Sequence, residues 1–146
     1  NVYTRNAEEY IRQLEELDAW IQAEINPIPP ADRLLISNHE SFGYYADQYG
    51  LTIIGTLLTS ASTSASPSAR ELADLVDQIR ASGAKAILLE TGANPQLAAQ
   101  IAEETGIRVV SNIYTHSLTT SNGPAPSYLE MMRYNTSAIV AALQGN

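Results

Sequence analysis

Four short apolar runs recur through the middle of the chain, and their spacing is what most limits the possible folds. They read "RLLISN" (33–38), "LTIIGTLL" (51–58), "KAILLE" (85–90) and "IRVVSN" (107–112). Each has the length and β-branched content of a strand but is too continuously apolar for a strand with one wet face, so strands buried on both faces are predicted. Between them lie segments of helical character near 40–49, 68–82 and 94–105, and another near 127–143 follows the fourth run. Strands that alternate with helices form parallel βαβ units joined by right-handed crossovers. The predicted fold is α/β, a four-stranded parallel sheet flanked by helices. At 146 residues the chain has room for one core of this kind.

Ahead of the first run, "NAEEYIRQLEELDAWIQAEI" places Ala7, Tyr10, Leu14, Leu17 and Ile21 three and four apart. That spacing predicts a long amphipathic helix over 6–25, with Asn6 as N-cap and Glu9 three residues on. Pro27, Pro29 and Pro30 end it. The chain therefore divides into a long helix, 1–26, and an α/β domain, 27–146. The helix either packs along its own domain or pairs with a second copy or another domain. "TSASTSASPSA" (59–69) reads as an ordered loop leading into a helix that starts at Ser68, and "LTTSNGPAP" (118–126) reads as a second loop.

Composition removes several function classes. Eight Lys and Arg against sixteen Asp and Glu leave a net charge of −8, and the basic residues are scattered, so nucleic acid is not an expected partner. No apolar stretch approaches the ~18 residues of a membrane span. The absence of cysteine excludes disulfides and thiolate metal sites. Dinucleotide, Walker and G-x-S-x-G signatures are missing.

In open α/β sheets, ligands bind outside the carboxyl ends of the strands. Asn38, His39 and Glu40 follow the first strand there, Glu90 and Asn94 the third, and Tyr114, Thr115 and His116 the fourth. Taken singly, His39 is an ordinary histidine at a helix start and His116 an ordinary loop histidine. Both histidines of the chain on one rim are less ordinary, and neutral imidazoles on separate loops suit a late first-row divalent metal. Glu90 closes an apolar strand, where a carboxylate is costly unless it is hydrogen-bonded or coordinated. It is expected behind the ligands, holding loop backbone amides, rather than on the metal.

Three stretches, "SNHESFGYYADQYGLTIIG", "LLETGANPQLAAQIAEETGIRVV" and "IYTHSL…SYLEMMRYN", resemble the carboxyl-terminal lobe of the zinc- and manganese-type substrate-binding proteins of ABC importers. The amino-terminal segment resembles the rigid helix that links the two lobes in that family, so the resemblance covers essentially the whole chain. It implies that His39, heading "H-x-x-F-G-Y-Y", and His116 are metal ligands, and that two more come from an amino-terminal lobe this chain lacks. Family members commonly carry Asp in place of His116, and manganese-type members carry Glu in place of His39. The all-imidazole pair here favours Zn2+ over Mn2+ and leaves copper and nickel open.

The resemblance implies a binding protein and not an enzyme, periplasmic or extracellular, membrane-anchored in its full-length form, with an ABC importer permease as partner. Two alternatives remain from the residues alone. One is a metal-dependent hydrolase using His39 and His116 with Glu90 as base; the other is an interaction module that dimerises through helix 6–25.

Overall fold

The computed structural model describes residues 1–57 and 67–145. A 24-residue helix, α1 (Val2–Ile25), leads through a short 3-10 turn to strand β1 (Leu34–Ser37). Then follow α2 (Gly43–Tyr49), β2 (Thr52–Thr56), α3 (Ala69–Ser82), β3 (Ala86–Glu90), α4 (Gln96–Thr105), β4 (Arg108–Ile113) and α5 (Tyr128–Leu143). The strands form one sheet in the order β2-β1-β3-β4, and every adjacent pair is parallel. The predicted α/β architecture is the observed one.

Side chains alternate across the sheet, so each strand feeds two cores. Leu35, Ala86 and Leu88 face a cluster with Leu17, Ile21 and Ile25 of α1, Ala46 of α2 and Ile139 and Leu143 of α5. Ile36, Ile87 and Leu89 face the opposite cluster, with Leu75, Val76 and Ile79 of α3 and Ile101 of α4. The result is three layers, with α1, α2 and α5 on one face and α3 and α4 on the other.

Burial on both faces holds for the two central strands. All five residues of β3 are buried, and three of the four in β1. It fails at the edges: Thr52 of β2 and Arg108, Ser111 and Asn112 of β4 are exposed. An edge strand is covered only where a helix reaches it, and apolar content alone does not say which strand is outermost.

Helix α1 starts four residues before its expected first position. Asn1, not Asn6, is its cap, its side chain accepting the Tyr3 N–H at 3.1 Å. Nothing in Val2–Arg5 opposes a helix, so Asn6 lies inside it. Only the carboxyl-terminal half of α1 is packed: Leu17, Ile21 and Ile25 are buried, whereas Tyr3, Tyr10 and Ile11 are exposed.

Helix α2 starts at Gly43 rather than near residue 40. The Ser37 and Ser41 hydroxyls both donate to the His39 carbonyl, at 2.8 and 3.4 Å, and hold the intervening residues in a turn instead. Helix α3 starts where Ser68 predicts, with a full capping box to Glu71. The loop expected over 59–69 and the end of the second apolar run at Leu58 fall largely on residues 58–66, outside those described.

Candidate metal centre

Because β1 and β3 are neighbours while their following helices lie on opposite faces, the sheet has its switch point between them. A crevice opens at such a point beyond the strand ends. Three elements deliver side chains to it: the turn after β1 brings His39, the last residue of β3 is Glu90, and the loop after β4 brings His116.

The β4 loop reaches the crevice through an irregularity. The parallel register of β3 and β4 runs Leu88 to Val110, then shifts so that Glu90 pairs with Ile113. The additional residue on β4 is accommodated at Asn112, which alone among the described non-glycine residues has positive φ, at 63°. An inserted residue of this kind re-aims every side chain beyond it. Here it buries Ile113 completely and directs the Tyr114–Thr115–His116 segment over the end of β3.

The two imidazoles meet edge to face, their planes 89° apart and their centroids 5.5 Å apart. Their Nε2 atoms are 3.4 Å apart, long for a hydrogen bond. Two metal–nitrogen bonds of ~2.0–2.1 Å at a tetrahedral angle span about 3.3–3.4 Å, so the separation equals the bite of a shared ion. One donor atom from each of His39, Glu90 and His116 lies within 4.8 Å of the others, the only such metal-type group among the described residues.

Glu90 is 7 % exposed and stands behind this pair. Its Oε1 accepts the Thr115 hydroxyl at 2.5 Å, and its Oε2 lies 2.8 Å from Nδ1 of His39. That Nδ1 is buried and sits at ion-pair distance, but off the line of a well-formed hydrogen bond. A carboxylate behind the remote nitrogen of an imidazole fixes which nitrogen faces outward, an arrangement typical of metal-bound histidines. The loop amides that sequence reasoning offered as Glu90's partners are replaced by a histidine and a threonine.

A residue the sequence reading passed over completes the site. Asn135, buried in α5, accepts the Tyr114 N–H on Oδ1 at 3.0 Å and donates from Nδ2 to the Tyr114 carbonyl at 2.6 Å. Its neighbour Thr136, fully buried, shares a 2.7 Å hydrogen bond with the Tyr45 hydroxyl. The available signal was an adjacent amide and hydroxyl leading into the apolar run 138–143 of a helix, where groups drawn into the core need partners.

The chain matches the family described as zinc-uptake complex component A, periplasmic, over residues 1–142. It is 28% identical over 149 residues to the manganese-binding lipoprotein MntA of Bacillus subtilis, covering 99% of this chain and 48% of that one. With the iron-binding protein YfeA of Yersinia pestis it shares 26% over 137 residues, covering 94% and 43%. Among solved structures, the Mn-bound periplasmic metal binding protein of candidatus liberibacter asiaticus superposes with a TM-score of 0.83 at 27% identity, over 97% of this chain and 51% of that chain. The periplasmic zinc binding protein TroA of Treponema pallidum shares the fold, with a TM-score of 0.84 at 24% identity, over 97% and 52%. The chain thus spans about half the length of these relatives, which are described as metal-binding proteins and not as enzymes. A family match over nearly every residue, on a fold shared with these proteins, makes this chain a member of the zinc-uptake complex component A family.

Proposed function

We propose that the chain is the carboxyl-terminal half of an extracytoplasmic substrate-binding protein, periplasmic or extracellular, that holds a divalent transition metal for delivery to an ABC importer permease. His39 and His116 bind the ion through Nε2, Glu90 supports them from behind, and the other half of the protein supplies the remaining ligands. The observation that carries this reading is the 3.4 Å separation of two Nε2 atoms from loops of different strands. That separation matches the bite of one shared ion on two imidazole nitrogens.

Relatives are described as binding manganese and iron, and TroA as binding zinc. For this chain zinc is favoured over manganese, because imidazole nitrogens suit zinc whereas manganese prefers oxygen ligands. The hydrolase alternative has no support from a family of binding proteins, and transport needs a site that releases its cargo unchanged.

Calorimetric titration with zinc and with manganese tests the reading. Zinc binds more tightly than manganese, and His39→Ala or His116→Ala lowers zinc affinity at least tenfold. Unchanged affinity in both variants would show the histidines to be structural.

A further inference from the structure

Asn135 sits in the middle of α5, far along the chain from His39 and 19 residues from His116, yet its side chain both accepts from and donates to a single residue of the β4 loop. Asparagine is a poor residue for a helix interior, and a buried primary amide is costly unless satisfied. The amide here both accepts from and donates to Tyr114, two residues before His116. Only one orientation of the side chain satisfies both contacts, since the Tyr114 N–H needs an oxygen opposite it and the Tyr114 carbonyl needs an N–H.

The next residue is fixed from another direction, the Thr115 hydroxyl being held by Glu90 of β3. Just upstream, the Thr91 N–H donates to the Ile113 carbonyl at 2.9 Å. Three consecutive residues, Ile113, Thr115's predecessor Tyr114, and Thr115 itself, are therefore gripped by partners outside the loop. The residue after them is the exposed His116.

We propose that Asn135 is a positioning residue for metal binding. Its two-point grip on Tyr114 sets the path of the β4 loop, so that Nε2 of His116 rests at bite distance from Nε2 of His39 before any ion arrives. This inference rests on the reading of His116 as a ligand. Without the grip the loop leaves α5 and samples other paths, and the ion must pay the ordering cost that Asn135 has otherwise met. Residues that orient metal ligands typically change metal affinity by 10–100-fold when removed. Thr136 serves as the internal control: it is the adjacent buried polar residue of α5, but its hydroxyl is turned to Tyr45 of α2 and not to the loop.

The test compares Asn135→Ala and Asn135→Asp with Thr136→Ala and His116→Ala, in the 146-residue chain, by zinc calorimetry, thermal unfolding and NMR relaxation of the metal-free backbone amides. Asn135→Asp keeps an acceptor for the Tyr114 N–H but turns an oxygen toward the Tyr114 carbonyl. Both Asn135 variants lower zinc affinity tenfold or more and loosen the Thr115 and His116 amides. Thr136→Ala lowers the melting temperature while leaving zinc affinity within about twofold and those amides ordered. Should Asn135→Ala not fold, Asn135→Gln, with the same groups one methylene further out, gives the same contrast. If zinc affinity in the Asn135 variants follows melting temperature as it does in Thr136→Ala, or if the loop amides stay ordered, Asn135 only stabilises the fold. Unchanged zinc affinity in His116→Ala would instead sink the metal reading and leave the relaxation result to decide the grip by itself.

Discussion

Asn112 is the residue on which the aim of the β4 loop turns. A side chain at φ 63° is tolerated by asparagine and glycine and opposed by β-branched residues, whose Cβ substituents crowd the backbone there. Asn112→Gly should leave melting temperature and zinc affinity nearly unchanged. Asn112→Val should cost about 1–3 kcal/mol in denaturant unfolding. It should also weaken zinc binding more than that loss explains, because relief of the strain would restore regular pairing and turn the loop away. A valine variant of wild-type stability and affinity would show that the shift is not held by this residue. None of this was legible in "IRVVSN", where Asn112 reads as a strand's polar end. The placement of both histidines on one rim was legible, since a strand end followed by His39 or His116 is a local pattern. The grip of Asn135 on Tyr114 was not, because it joins residues 21 apart through backbone atoms that have no signature in sequence.

At the scale of elements, continuous apolar runs located all four strands and set off the helices between them, because burial imposes apolar content on every core-facing stretch. Sheet order and edges were not written there; they depend on which crossover turns which way. What fastens α2 to its neighbours was equally hidden. Tyr45 packs on Phe42 and Tyr49 and bonds Thr136 of α5, while Tyr49 donates its hydroxyl proton to Asp18 of α1 at 2.9 Å. Burial pushes the Tyr45 phenol up from 10 to about 12, against a smaller opposing effect of the Thr136 hydrogen bond. Tyr49 is raised as well, by burial first and then by Asp18. The sign follows directly. Below pH 10 both folded and unfolded chains keep the Tyr45 proton, and the stability is fully present. Between pH 10 and 12 the unfolded chain releases it first, so stability falls as pH rises. The loss due to Tyr45 is on the order of 2 kcal/mol, reduced by its partial exposure. Urea midpoints measured at pH 9, 10.5 and 12 should fall more steeply for the wild type than for Tyr45→Phe, which starts about 1 kcal/mol lower for want of its hydrogen bond. Parallel curves for the two proteins would mean that Tyr45 does not hold its proton against alkali.

Taken whole and on the proposed reading, the molecule offers a metal half of what a closed site requires. On the proposed reading, two imidazoles come from this chain and water fills the other positions. Structural zinc sites with four protein ligands bind with apparent energies of ~10–16 kcal/mol in peptides at pH 7. Half that ligand set points to about 5–8 kcal/mol, a Kd between roughly one and a few hundred micromolar. The site nevertheless starts with an advantage over a peptide: Glu90 stands against both His39 and Thr115, and the two Nε2 atoms already stand 3.4 Å apart, so little ordering remains for the ion to impose. Binding should therefore be weak but stoichiometric, one zinc per chain, and it should fall on acidification as protons compete for the imidazoles. The exposed position of His116, and of Tyr3, Ile11 and Tyr44 elsewhere on the surface, leaves room for a different outcome. Two copies facing each other would pool four imidazoles around one ion. Light scattering during the zinc titration separates the cases: a constant monomer mass with micromolar affinity fits a site completed by the other half of the protein. Nanomolar affinity at one ion per two chains, with the mass doubling as zinc is added, would overturn that expectation and make the second copy the source of the missing ligands.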